Sequence, residues 1–151
     1  MTVALGAEEQ EVALAEIDAV RAAAQAGAYR EVLDDAAAAV ASGSVESEQL
    51  AEELDRIIGL GLQTGRIRAL YGPAGEQAAL RVYRKLPSGK ELVETARAVN
   101  EALTSLEGRS LEQVSIAAVG PGAFTLSFVA GGAELSVRLD RQGARLASVG
   151  V

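Results

Sequence analysis

The chain contains neither cysteine nor histidine among its 151 residues. Disulfides are therefore excluded, as are zinc sites built from these ligands, nucleophiles paired with histidine, and histidine pH switches. Any catalysis would depend on carboxylates, Arg, Lys, Tyr or hydroxyl groups, and any metal site on oxygen ligands alone. No calcium loop or catalytic motif occurs. We therefore expect a non-enzymatic protein with no catalytic residue, no metal and no cofactor.

Long apolar runs are missing as well. No stretch of roughly 18 consecutive apolar residues is present, so no membrane span is expected. The segment 1–5 has no basic residue and Glu8 follows closely, which is unlike a secretory signal. A cytoplasmic location is therefore expected. Hydrophobic residues make up 49% of the chain and the mean hydropathy is +0.17, which favours a folded domain over a disordered one.

Positive charge is scarce in the first part of the chain. Residues 1–63 carry 13 acidic and 3 basic side chains, whereas residues 64–110 carry 5 acidic and 8 basic ones. A net charge of −7 disfavours nucleic-acid binding, including a helix-turn-helix within residues 28–86, because phosphate contacts supply most of that affinity. We interpret the asymmetry as acidic helices lying against the basic segment, within the chain or across a dimer.

Two alanine-rich helices are predicted at the start of the chain, over residues 8–26 and 28–41. Each has few large apolar side chains and so buries little area alone. We therefore expect residues 1–43 to form a helical hairpin that is mobile or is ordered by a partner. Residues 44–151 are expected to form an α+β core domain, the two together making one compact unit.

The middle of the chain predicts two further helices. Residues 46–62 carry an apolar stripe, and the glycines that follow have the wrong spacing and context for a phosphate-binding loop. Residues 63–72 fit either a short strand or a helical turn. Gly72-Pro73 then predicts a helix over 74–86, with a hairpin made of 66–71 and 79–85 as the alternative.

A fifth helix is predicted over residues 89–106. Ser88 and Glu91 have the spacing of a capping box, in which each side chain satisfies a free backbone amide. An apolar stripe follows at Leu92, Ala96, Val99, Leu103 and Leu106. We expect this stripe to cover one face of the sheet that follows.

The C-terminal segment 111–151 predicts its own strand register. Turns at Gly120-Pro121-Gly122 and Gly131-Gly132 separate alternating apolar residues, so the fold class is α+β, with about five helices before an antiparallel meander of three to four strands. The predicted apolar pairs are Ala118 with Phe124, Ile116 with Leu126, Val114 with Phe128, Phe128 with Leu135, Leu126 with Val137, and Phe124 with Leu139. The fourth strand, 144–150, either turns Ala144, Leu146 and Ser148 inward, which we prefer, or turns Arg145, Ala147 and Val149 inward.

The opposite face of this sheet is predicted to be flat and poor in charge. The same register pairs Ser127 with Ser136 and Thr125 with Arg138. The candidate interface residues are Ser115, Thr125, Ser127, Ser136 and Arg138. This face either packs on another surface or is an exposed Ser/Thr face. Our leading hypothesis is an interaction or assembly protein, a homo-oligomer or one with a protein partner, that associates through this face or the alanine-rich helices.

An arginine-rich segment supports an alternative function. Arg66, Arg68, Arg81 and Arg84 lie close in sequence to the helix start at Gly72-Pro73. Guanidinium groups and free backbone amides bind phosphate or carboxylate, so the alternative is a module for a small anionic ligand that uses residues 66–85. The competing interpretation is a solvated face held by salt bridges.

Overall fold

The computed structural model describes residues 1–150 and confirms the α+β fold, with five helices before a four-stranded antiparallel sheet in the order β3-β4-β5-β6. The elements are β1 (Val3–Ala4), α1 (Ala7–Ala23), α2 (Ala28–Ala41), β2 (Ser44–Val45), α3 (Glu48–Gln63), α4 (Arg66–Lys85), α5 (Pro87–Thr104), β3 (Leu111–Gly120), β4 (Ala123–Ala130), β5 (Ala133–Asp140) and β6 (Gly143–Gly150). The short pair of β1 with β2 was not predicted. Within residues 1–150, no helix is long and apolar enough to span a membrane.

The chain divides into two compact units, Met1–Lys90 and Glu91–Val151. The boundary expected from the sequence, at 43/44, falls inside the first unit. Ile17, Leu33 and Leu54, from α1, α2 and α3, are fully buried in one apolar core. The alanine-rich helices thus contribute few large side chains, but those few are central to that core. Mobility of residues 1–43, or their ordering by a partner, stays a prediction.

Residues 66–85 are helical, so the hairpin alternative is wrong and α4 begins eight residues before the predicted start. Gly72 interrupts this helix with φ 69° and ψ −173°. Only glycine adopts such a conformation readily, and the following Pro73 has no N–H to contribute to a helical hydrogen bond. The predicted helix start at Gly72-Pro73 is therefore confirmed, and the kink joins that helix to a helical segment that precedes it from Arg66.

Ser88 does not form the predicted capping box. Helix α5 already begins at Pro87, a residue that suits the first helical position. Ser88 instead donates from its backbone N–H and its hydroxyl to Asp55 Oδ2, at 3.1 and 2.6 Å. A residue distant in sequence has replaced the local cap.

The predicted sheet register is confirmed for every pair of the first three strands, on both faces. The fourth strand combines the two predicted arrangements. Ala144 pairs with Leu139 and Leu146 with Val137, as preferred, but a register shift follows and pairs Val149 with Leu135. This β-bulge at Ala147 moves Ser148 to the opposite face, where it pairs with Ser136.

Helix α5 covers only part of the apolar sheet face. Val99, Ala102, Leu103 and Leu106 pack against a cluster centred on β5, whose buried members are Leu135 and Val137. Ala96 of the predicted stripe is exposed, and Thr95 is half-buried. Strand β3 is exposed along its whole length. The covering helix was therefore predicted correctly, but it leaves one edge of the face open.

Candidate interaction surface

The predicted interface residues lie together on the face of the sheet opposite α5. A row of four serines crosses this face, one from each strand: Ser115, Ser127, Ser136 and Ser148. The hydroxyl oxygens of Ser127 and Ser136 lie 3.1 Å apart, within hydrogen-bond distance. The sequence prediction missed Ser148, because only the bulge in β6 brings it into the row.

Of the two charges on this face, Arg138 is neutralised locally, whereas the exposed Glu134 makes no ion pair among the described residues. Arg138 donates to Asp140 Oδ2 at 3.2 Å, and Arg145 donates to the same oxygen at 2.5 Å. The backbone N–H of Gln142 and these guanidinium groups hold the pKa of Asp140 below its ordinary value. Ser127, Ser136 and Thr125 are half-buried, and none of the described residues covers them further. The face is polar and is not flat as predicted, because a cavity of about 230 Å³ lies on it beside Ser115, Ser127 and Ser136.

The apolar face is uncovered along β3. Val114 and Ile116 are 51% and 63% exposed, although their alternation directs them to the side that α5 covers elsewhere. Phe124 on the neighbouring strand is 42% exposed. A contiguous patch of large apolar side chains on a small domain is typical of an interaction site. We call Val114, Ile116 and Phe124 the β3 stripe.

Strand β3 is also a sheet edge with little protection against further pairing. It has ten residues and pairs with β4 alone. Natural proteins guard such edges with charges, proline, bulges or short strands, since a free edge presents unpaired backbone groups. The only charged residue in β3 is Glu112. Bulges lie at both ends of the strand, at Glu112 and after Ala118, but residues 113–118 between them pair with β4 without interruption.

The other edge strand, β6, is better guarded. Arg145 is its third residue, and the bulge at Ala147 breaks its regular pairing after Leu146. Leu146 and Val149 are exposed there, at 41% and 63%. Both edges thus carry exposed apolar side chains, but β3 offers the longer uninterrupted run of backbone.

The arginines proposed for anion binding do not converge on one open site. Arg66 pairs with Glu16, Arg68 with Glu76 at 3.0 Å, and Arg81 with Glu8 at 2.6 Å. The side chain of Arg84 makes no ion pair or hydrogen bond among the described residues. The predicted packing of acidic helices against the basic segment is confirmed within the chain, because α4 supplies the cations and α1 most of the carboxylates.

A buried carboxylate that the sequence reasoning missed lies at the centre of the first unit. Glu16 is fully buried and accepts hydrogen bonds from Arg66 and from the Tyr71 hydroxyl, the latter at 2.8 Å. Burial and the bond to Glu16 raise the pKa of Tyr71. The one signal in the sequence was the position of Glu16 beside Ile17, on the inward side of α1.

A second ion pair, between Lys85 and Glu9, ties α1 to α4, and the residue that precedes α1 supports it. Lys85 donates to Glu9 Oε2 at 2.7 Å, and the Gly6 N–H donates to the same oxygen at 2.8 Å. Burial acts to raise the pKa of Glu9, but the bonds from Lys85 and Gly6 outweigh it and the pKa lies below its ordinary value. Both networks are satisfied internally, which is typical of structural ion pairs.

A cavity of about 370 Å³ lies beside these networks, between α1 and α4. Its walls include Glu8, Val12 and the Tyr71 ring. Arg81 neutralises Glu8, and the Tyr71 hydroxyl is bonded to Glu16. The third polar residue of the wall, Glu11, makes no ion pair among the described residues, so the cavity carries a net negative charge and does not suit an anion. Within residues 1–150, no group of three or more acidic side chains is placed to hold a metal ion.

Comparison with protein-family models found no match, and comparisons with curated proteins and with solved structures found none either. The function of this chain must therefore be inferred from its own surfaces. Among them, the β3 stripe and the free edge of β3 combine exposed apolar side chains with unpaired backbone groups.

Proposed function

We propose that this chain is a non-enzymatic assembly protein that self-associates through the β3 side of its C-terminal sheet. The observation that carries the proposal is the exposure of β3 along its full length, including Val114 and Ile116 on the apolar face. Side chains of this size are the ones whose burial drives association. A protein that left them in water without function would carry an aggregation risk at this edge.

The two surfaces favoured by the sequence are less suitable for this role. The large apolar residues of the alanine-rich helices, such as Ile17 and Leu33, are already buried in the core of the first unit. The serine face offers hydroxyl groups and a charge pair that water satisfies well, so covering it gains little hydrophobic free energy. Removing the β3 stripe from water, in contrast, contributes favourable hydrophobic free energy.

The alternative, a module for a small anionic ligand, has weaker support. An anion at Arg66, Arg68 or Arg81 would have to displace a carboxylate that is already bound. Only Arg84 is without such a competitor. A phosphate-dependent rise in melting temperature that is lost in Arg84→Met would favour this alternative.

Sedimentation equilibrium at micromolar concentration tests the proposed function. We expect the wild-type chain to form a dimer or larger assembly, and Ile116→Lys to weaken it at least tenfold, because a charge would enter the apolar contact. Val93→Lys is the matched control, since Val93 is also exposed, at 54%, but lies on α5.

Ser127→Arg identifies the face that is used. Our proposal expects this variant to associate like the wild type. A wild-type chain that stays a monomer would overturn the proposal, and loss of association in Ser127→Arg with retention in Ile116→Lys would assign the interface to the serine face.

A further inference from the structure

We infer that two copies of this chain pair β3 against β3 in antiparallel orientation, around a two-fold axis at Ser115, to form one continuous eight-stranded sheet. The inference rests on the proposed function and specifies its geometry. A free sheet edge is completed by another strand, since only a strand satisfies a row of backbone N–H and C=O groups. The segment that pairs with this edge must therefore be an extended strand, and β3 of a second copy is such a strand.

The apolar face restricts how two copies can meet. Directly paired residues in adjacent strands project to the same face of a sheet. The apolar face of β3 carries the even-numbered residues of the regular run 113–118. For this face to continue across the junction, the even-numbered residues of one copy must pair with the even-numbered residues of the other. Under two-fold symmetry, one residue of β3 must then lie opposite its own copy.

Ser115 is the residue that best satisfies this condition. With the axis there, Val114 of one copy lies opposite Ile116 of the other, and two β-branched side chains make a favourable cross-strand pair. Glu112 faces Ala118 and not a second Glu112. An axis at Val114 would instead place Glu112 against Ile116, a larger apolar side chain than Ala118, and would break the Val114–Ile116 pair.

The serine row supports the same register independently. Ser115 is the edge member of the row that runs through Ser127 and Ser136 to Ser148. An axis at Ser115 joins the two rows end to end into eight serines across the extended sheet. An axis at Ile116 would place Ser115 opposite Ala117 and break the row.

The balance of free energies explains why the backbone edge is needed as well as the stripe. Edge pairing brings Val114 and Ile116 of the two copies side by side and covers only their flanks, while Phe124 lies one strand further from the junction. These partial contacts fall short of the entropic cost of association by themselves. The backbone hydrogen bonds formed along the edge supply the remaining free energy. The two-fold axis also keeps both α5 helices on the same side of the joined sheet.

Single cysteine substitutions test this geometry by disulfide cross-linking. The chain has no cysteine of its own, so no other disulfide can form. Directly paired residues bring their Cβ atoms to about 4.5–5.5 Å, close to the range of a disulfide. We expect Ser115→Cys to form a disulfide-linked dimer rapidly under mild oxidation. Ser148→Cys, the matched serine on the other edge strand, is expected to cross-link at only the slow rate of random collision.

A mixed experiment tests the register and guards against a disturbance caused by Ser115→Cys itself. Gln113 of one copy is expected opposite Ala117 of the other. Gln113→Cys and Ala117→Cys chains should therefore cross-link when mixed and fail to do so separately.

Each outcome separates the inferred geometry from the proposed function. Cross-linking of Ser115→Cys together with the mixed pair supports the geometry. A wild-type dimer by sedimentation with neither cross-link overturns the β3 pairing and leaves self-association standing. Preferential cross-linking of Ser148→Cys would assign the junction to β6. A wild-type monomer by sedimentation would overturn both proposals.

Discussion

Glu16, which is fully buried, accepts a hydrogen bond from Arg66, whose side chain is 40% exposed. The two partners therefore have different alternatives when the pair is broken. Arg66 can hydrate its charge, whereas Glu16 has only the Tyr71 hydroxyl left to bond with. The contribution of the pair to stability therefore depends mainly on the cost of leaving the buried Glu16 carboxylate without its cation.

This asymmetry predicts unequal effects of the two single substitutions. Arg66→Met should lower the free energy of unfolding by about 3 kcal/mol, because it leaves an uncompensated buried charge. Glu16→Gln should cost less, about 1–2 kcal/mol, since a neutral amide is buried at lower cost. Urea denaturation checks both values. Arg68→Met is the control: its pair is exposed, so less than about 1 kcal/mol is expected. Equal losses in the two arginine variants would refute this account.

Glu9 predicts a defined dependence of stability on pH. Its pKa is lowered in the folded chain, so it binds protons more readily when unfolded. The stabilisation is complete above the ordinary pKa of 4.5 and is lost as the pH falls through the lowered folded value. Glu9→Gln should therefore reduce the loss of stability on acidification, measured by urea denaturation at neutral and acidic pH. Lys85→Met should reproduce part of this change and the exposed Lys90→Met should not. An unchanged pH profile in Glu9→Gln would contradict the prediction.

The kink in α4 predicts opposite effects of two glycine-to-alanine substitutions. Gly72→Ala forces a side chain into a backbone conformation that only glycine adopts readily, and should destabilise by about 1–3 kcal/mol. Gly59→Ala lies inside regular α3, where the added Cβ meets Tyr83 at an ordinary contact distance of 3.5 Å. It should stabilise by about 0.5–1 kcal/mol. Thermal unfolding of both variants gives the comparison, and a stabilising Gly72→Ala would show that the kink is not required.

The C-terminal sheet could be predicted in detail because its register depends on local information. Each turn sets the pairing of the strands beside it, and apolar alternation then fixes which side chains share a face. The fourth strand shows the limit of this reasoning. A bulge at Ala147 changes the face of Ser148, and the sequence allowed either register. The completion of the serine row therefore could not be foreseen.

Contacts between residues distant in sequence account for the other differences. Asp55 binds Ser88 and replaces a cap that the local pattern Ser88–Glu91 predicted. Glu16 is buried because Arg66 and the Tyr71 hydroxyl, both distant in sequence, satisfy its carboxylate. The partial cover of the sheet has a similar origin. Periodicity identified the apolar stripe of α5, but not that its contacts centre on β5 and leave β3 exposed.

Hydrogen–deuterium exchange across a concentration series tests the β3 junction most directly. Pairing of β3 with a second copy would protect outward-facing amides that water reaches in the monomer. We therefore predict that a peptide covering residues 111–120 becomes more protected as the concentration rises through the micromolar range, while one covering 143–150 does not change. Rapid exchange in residues 111–120 at every concentration, in samples that sedimentation shows to be associated, would contradict the β3 junction.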